Sequence, residues 1–130
     1  MIRLTLIGLT VILLFTLTAD KAWADAVDDL IAKYYNDIVD RDPDAAGAQA
    51  WKSEFARIVA LGIDAEEGCI ALARFFFHSE EYATQNKDDT QFVADLYQTF
   101  LDREPDPAGL NFWVGLLDQG LSRNVVLNSF

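Results

Sequence analysis

Cysteine, histidine and proline are scarce in this chain, and each scarcity excludes something. Cys69 is the only cysteine among 130 residues, so no internal disulfide can staple the fold. His78 is the only histidine. One cysteine and one histidine, far from any evident nucleophile–base partner, give little footing for nucleophilic catalysis. Cys69 reads as a small apolar residue on a helix. Basic residues are also few: ten Lys and Arg against 21 Asp and Glu leave a net charge of −11. An acidic surface of this kind repels nucleic acid and anionic lipid headgroups. No segment sustains the period-two alternation of a half-buried strand, so no sheet is expected.

What is present is a repeat. Asp40-Arg41-Asp42-Pro43-Asp44-Ala45-Ala46-Gly47 leads to Trp51, and Asp102-Arg103-Glu104-Pro105-Asp106-Pro107-Ala108-Gly109 leads to Trp113. The identical pairs begin earlier, with Ala32/Ala94 and Tyr35/Tyr97, at a constant offset. One supersecondary unit is used twice, which has to be settled before the fold is assigned.

The N-terminus has the form of an export signal. Arg3 is a small positive region, Leu4 to Leu17 is uncharged and apolar, and Ala22-Trp23-Ala24 is a small-x-small cleavage site. The cut is expected before Asp25. The apolar run is shorter than the ~20 residues of a membrane-spanning helix, so no stable membrane insertion is expected after cleavage. Losing residues 1–24 removes two positive charges and one negative, giving −12. The expected organisation is residues 1–24 as signal peptide, 25–85 as a first helical unit and 86–130 as a second, read as C-terminally incomplete. The expected location is secreted or periplasmic.

The expected fold is all-α: two related helix-loop-helix hairpins sharing an Asp-Arg-x-Pro-Asp-x-x-Gly loop and packed as one small domain. Val27, Leu30, Ile31, Tyr34, Ile38 and Val39 keep three-four spacing and predict a helix from about Ala26 to Val39. Asp44 is placed to cap a second helix that Gly62 ends. Asp64 and Glu67 resemble a capping box opening a third. Ser79 caps a short turn presenting Tyr82. In the second unit a helix opens near Thr90 with Phe92, Val93, Leu96, Tyr97, Phe100 and Leu101 facing inward. Asp106 caps the next, with Pro107 at its first position, and Ser122 caps a last helix carrying Val125, Val126 and Phe130.

Phe92-Val93-x-x-Leu96-Tyr97-x-x-x-Leu101-x-Arg103-x-x-Asp106-x-x-Gly109-x-x-x-Trp113, followed by Leu117-x-x-Gly120-x-Ser122-Arg123, resembles the bacterial domain of unknown function 4214. That family is distantly similar to phycobilisome linker domains. The first unit matches more loosely, through Tyr35, Arg41, Asp44, Gly47 and Trp51. The resemblance implies an all-helical module in exported or surface-associated bacterial proteins, with no established catalysis. It also implies a closing Ser-x-Glu-aromatic segment, which the first unit has as Ser79-Glu80-Glu81-Tyr82 and the second lacks.

The shared loop is the candidate site. Asp40, Asp42 and Asp44, and likewise Asp102, Glu104 and Asp106, alternate as in the opening of a calcium loop. The later positions disagree: where an EF-hand needs its glycine stand Ala45 and Pro107, and where it needs glutamate stand Trp51 and Trp113. The structural reading fits each residue better. Asp44 and Asp106 cap helices, Gly47 and Gly109 admit another backbone closely, Arg41 and Arg103 bond the loop or stack on Trp51 and Trp113, and Asp40 and Asp102 complete the turn. A glycosidase would need two carboxyl groups facing across a cleft, and no spacing here supplies them. The expectation is therefore an exported, non-catalytic binding or assembly module with no cofactor and no metal, attaching to a protein or envelope partner or to itself through its C-terminal edge. The alternatives are a calcium-dependent carbohydrate or surface-layer binding module and a small secreted hydrolase.

Overall fold

The computed structural model describes the backbone of residues 6–130 and side chains from residue 21 onward. The start of the leader, with Arg3, lies outside the described residues, as do the side chains of its apolar run. The described chain is all-α, with no strand. Its helices are α1 (Leu6–Val39), α2 (Ala45–Ala60), α3 (Ala65–Phe77), α4 (Glu80–Thr84), α5 (Asp89–Leu101), α6 (Pro107–Asp118) and α7 (Arg123–Leu127). Among the described residues no helix is long and apolar enough to cross a membrane.

The helices begin where capping side chains stand. Asp44, Ser79, Asp106 and Ser122 each accept a hydrogen bond from a backbone N–H in the first turn of the helix they open. Asp64 accepts from the Glu66 amide rather than completing a box with Glu67. The reciprocal box is at Asp88 and Gln91, and it starts α5. Gly62 and Gly120 end α2 and α6 with φ of 81° and 96°, a region open to glycine without steric cost.

In chain order α1, α2 and α3 stand where α5, α6 and α7 stand relative to the two acidic loops. α1 and α5 are the central pair and run in opposite directions: Lys33 of α1 reaches Gln98 and Asp102, while Lys87 just before α5 reaches Ile38 and Asp40. The core lies along this pair. Ile31, Ile38, Leu72, Val93, Leu96 and Val126 are its most deeply buried side chains, each worth roughly 1.5–3 kcal/mol in apolar burial.

The two hairpins differ in length. α2 has 16 residues and α6 has 12, a difference of about one turn. Phe76 and Phe130 are equivalents despite this: Phe76 packs on Tyr35 and Trp51, and Phe130 packs on Tyr97 and Trp113. The part of α1 that precedes Lys33 extends past the C-terminal end of α5, and there Trp23 stacks on Phe55 of α2 at 5.9 Å.

Four sequence expectations are corrected. α1 does not begin near Ala26 but runs unbroken from Leu6, because no proline or glycine stands between Gly8 and Val39 to interrupt it. Leu101 is 46% exposed and Val125 48%, although both fall on apolar spacings. Thr99 and Leu127 are buried in their place. Trp113 is half-buried rather than central.

Candidate functional site

The two acidic loops fold into the same constellation. Asp40 and Asp102 end α1 and α5 in the left-handed region, with φ of 57° and 52°, which aspartate tolerates better than most residues. The turn brings the next arginine back over the helix it has left. Arg41 lies over the Tyr35 ring at 4.7 Å, and Arg103 over Tyr97 at 5.0 Å. Of the two sequence readings, bonding to the loop holds, since Arg41 donates to the Asp42 carbonyl and Arg103 to that of Glu104, while the ring beneath each guanidinium is the tyrosine of the same unit rather than Trp51 or Trp113.

The same tyrosines explain the glycines. An ideal Cβ on Gly47 would stand 2.3 Å from the Tyr35 hydroxyl oxygen, and one on Gly109 would stand 2.3 Å from that of Tyr97. The close approach is to a side chain rather than to a backbone. Asp44 Oδ1 accepts from Gly47 N and Asp106 Oδ1 from Gly109 N, both at 2.9 Å. These hydrogen bonds hold both carboxyls below the usual aspartate range. Tyrosine, arginine, aspartate and glycine therefore form one interlocked unit, built twice.

Five of the six acids proposed for a metal already have protein partners. Asp40 pairs with Lys87 at 3.0 Å and Asp102 with Lys33 at 3.0 Å. Each left-handed aspartate is thus held by a lysine of the opposite unit. Asp44 and Asp106 cap helices. Asp42 accepts from Asn36 at 3.4 Å. Glu104 lies beside Arg103, which donates to its backbone carbonyl. Among the described residues no three His, Cys, Asp or Glu side chains gather where they could hold a metal ion.

Other titratable groups are engaged in packing. Burial pushes the Cys69 thiol up, away from the thiolate that nucleophilic chemistry needs. His78 has one ring nitrogen against the Arg74 carbonyl and the other against the Asn124 side chain, each at 2.7 Å. Tyr82 donates to Asp95 at 2.8 Å, and Lys87 donates to the same carboxylate at 2.8 Å. The Lys87 and Asp95 side chains are 10% and 15% exposed, and this burial raises Asp95 despite the cation.

Where the two units differ is around the arginine. Arg41 makes a bidentate pair with Glu81 of α4: Nε to Oε1, and Nη2 to Oε2 at 3.0 Å. Gln85, following α4, donates to the Val39 carbonyl at 2.8 Å. Val39 beneath is 4% exposed. In the second unit Arg103, besides lying over Tyr97, bonds among the described residues only its own loop, the Glu104 carbonyl at 3.3 Å and Asp106 at 3.9 Å. Leu101, the equivalent of Val39, is 46% exposed. A groove of about 250 Å³ runs beside it, lined by Tyr97, Leu101, Trp113, Ser129 and Phe130. Phe112, 58% exposed, extends the apolar edge. Sequence reasoning missed the Arg41–Glu81 pair, although Glu81 lies in the segment it singled out.

Residues 73–130 match the family model described as Domain of unknown function (DUF4214), and this segment, from the last turn of α3 to Phe130, belongs to that family. The match takes in α4 and the whole second unit, and leaves α1, α2 and the start of α3 outside it. No curated protein and no solved structure matches the chain.

Proposed function

We propose that this protein is an exported, non-catalytic binding or assembly module that attaches to a protein at the cell envelope or outside the cell, with the open edge of the second unit as its contact surface. The observation that carries this reading is the contrast between Val39 and Leu101: the same repeat position is sealed in one unit and bare in the other. Exposed apolar surface bordered by charge is the usual mark of a protein contact. The acidic composition argues against nucleic acid and anionic membranes as partners. Export rests on the charged start, the apolar run and Ala22-Trp23-Ala24. Binding rather than catalysis is supported by where the reactive side chains lie, in packing and in caps.

The test is site-specific photocrosslinking in the producing cell, with the photoreactive residue at position 101 and, as control, at exposed position 61. A discrete protein adduct from position 101 in the exported fraction, absent from position 61, is the expected result. Equal labelling from both positions, or retention of the chain in the cytoplasm, would overturn the reading.

A further inference from the structure

The expected cleavage site lies inside a helix. α1 runs unbroken from Leu6 to Val39, so the Ala24–Asp25 bond belongs to helical backbone. Contacts on both sides hold it there. Lys21 and Asp25 pair across the bond at 2.7 Å, one turn apart. Trp23, just before the bond, stacks on Phe55 of α2 at 5.9 Å. Just after it, Val27 is buried and Asp28 pairs with Lys52 of α2. A protease takes its substrate extended, because it must reach the scissile carbonyl and bond the N–H and C=O groups beside it. In a helix those groups are already bonded to one another. Presenting Ala22 to Asp25 therefore requires the turn to unwind and Trp23 to leave Phe55.

Resting on the export reading above, we propose that Trp23 is a latch between leader and fold: once it docks on Phe55, the Ala24–Asp25 bond resists cleavage, so the leader comes off before α2 closes on α1. The chain spells a helix for either form. Cut before Asp25, α1 restarts with Asp28 and Asp29 in its first turn, where acidic side chains favour a helix N-terminus. Uncut, the same acids stand well inside α1, away from that end. The latch is separable from the core, because the Trp23 ring is 47% exposed while Phe55 beneath it is 2% exposed. Removing the ring uncovers Phe55 without taking a side chain out of the interior.

The test uses the full chain, folded in detergent with its leader attached, and a purified bacterial signal peptidase. Its cleavage is compared with that of a peptide copying residues 1–35, which has no α2 to dock on. The peptide should be cut after Ala24, and the folded chain should be cut at least about tenfold more slowly, since only the transiently opened form is a substrate. Trp23→Ala is made in chain and peptide alike, so that any change in recognition cancels in the ratio. It should shrink the difference by about threefold to tenfold, the share carried by the aromatic pair. Hydrogen exchange on the wild-type chain reads the same latch without a substitution: the Ala24 and Asp25 amides should exchange at least about tenfold more slowly than in the peptide. Equal cleavage of chain and peptide, or equal exchange at these amides, would overturn the proposal and leave the export reading standing. A folded Trp23→Ala chain as resistant as wild type would assign the protection to the helix alone and strike Trp23 from it. Failure to cut the peptide after Ala24 would overturn the export reading, and the latch with it.

Discussion

The hydroxyl oxygen of Tyr97 lies 2.3 Å from where a Cβ on Gly109 would stand, and Tyr35 bears the same relation to Gly47. In a helix interior, replacing glycine by alanine ordinarily gains about 1 kcal/mol. Here the sign should reverse, because the tyrosine ring is buried and held under an arginine. Gly109→Ala is expected to destabilise by about 1–3 kcal/mol, the usual range for overpacking. Tyr97→Phe removes the oxygen and should recover much of that loss in the double variant. Thermal melts of the four proteins in this cycle check it. A Gly109→Ala protein more stable than wild type would mean that the tyrosine yields freely.

The tryptophans are equivalent in sequence and unequal in support. Trp51 stacks on Phe76 at 4.7 Å, and Phe76 is 3% exposed. Trp113 meets Phe130 at 5.3 Å, tilted, and borders the open groove. Both rings are half-buried, but the partner of Trp51 is buried and that of Trp113 is not, so Trp51→Ala should cost about 3 kcal/mol and Trp113→Ala about 2 kcal/mol. Denaturant unfolding of both variants decides the order. A larger loss at Trp113 would place the main anchor in the second hairpin.

The helices and their ends were legible in the sequence because caps and stops are spelled locally. Asp44, Asp106, Ser79 and Ser122 cap as expected, and Gly62 and Gly120 sit where a helix must turn. The four-residue difference between α2 and α6 was also legible, from the distances to those glycines. What was not legible depends on neighbours far along the chain. Nothing local to Leu101 says that the cover given to Val39 by α4 has no counterpart among the described residues. Nothing in the spelling of the loop says that its arginine folds back on a tyrosine six residues earlier, or that its glycine faces that tyrosine's hydroxyl. The acidic alternation that resembled a metal loop is divided, in the fold, among two lysines and two helix caps.

That division yields a calcium prediction. Asp40 and Asp102 face different lysines, and Asp44 and Asp106 are turned to backbone amides. Binding a cation would break these pairs without supplying the six or more oxygens that calcium takes. Millimolar calcium should leave the melting temperature and tryptophan emission unchanged beyond a salt effect. A saturable calcium-specific rise in either would restore the metal reading of the loop.

Trp23 links the leader to the fold. It stacks on Phe55 at 5.9 Å with an interplanar angle of 28°. Cleavage before Asp25 would remove this ring. Such aromatic pairs are worth about 0.5–1.5 kcal/mol beyond their burial. A chain beginning at Asp25 should melt several degrees below one beginning at Lys21, by roughly the 4–8 °C that 1 kcal/mol produces in a domain of this size. Identical melting curves would mean that Trp23 contributes nothing to the folded state.

The Arg41–Glu81 pair gives the chain a measurable acid response. Glu81 is held below its ordinary 4.5 by the Arg41 hydrogen bond. The sign follows from linkage: a carboxyl depressed in the folded state adds stability that is present above the unfolded value and is lost as pH falls through the folded one. Both side chains are more than a third exposed, 39% for Arg41 and 43% for Glu81. Solvent screening therefore keeps the contribution of the pair small. Glu81→Gln should melt slightly below wild type at pH 7, and the two curves should converge as pH falls below the ordinary glutamate range. The contrast with Arg103→Gln makes the test specific to the closed unit. That variant breaks no bidentate pair, so it should show little loss at pH 7 and no convergence with acid. Equal losses in Glu81→Gln and Arg103→Gln would show that α4 is held by its apolar contacts alone, with Tyr82 under Phe77 rather than Glu81 on Arg41 as its anchor.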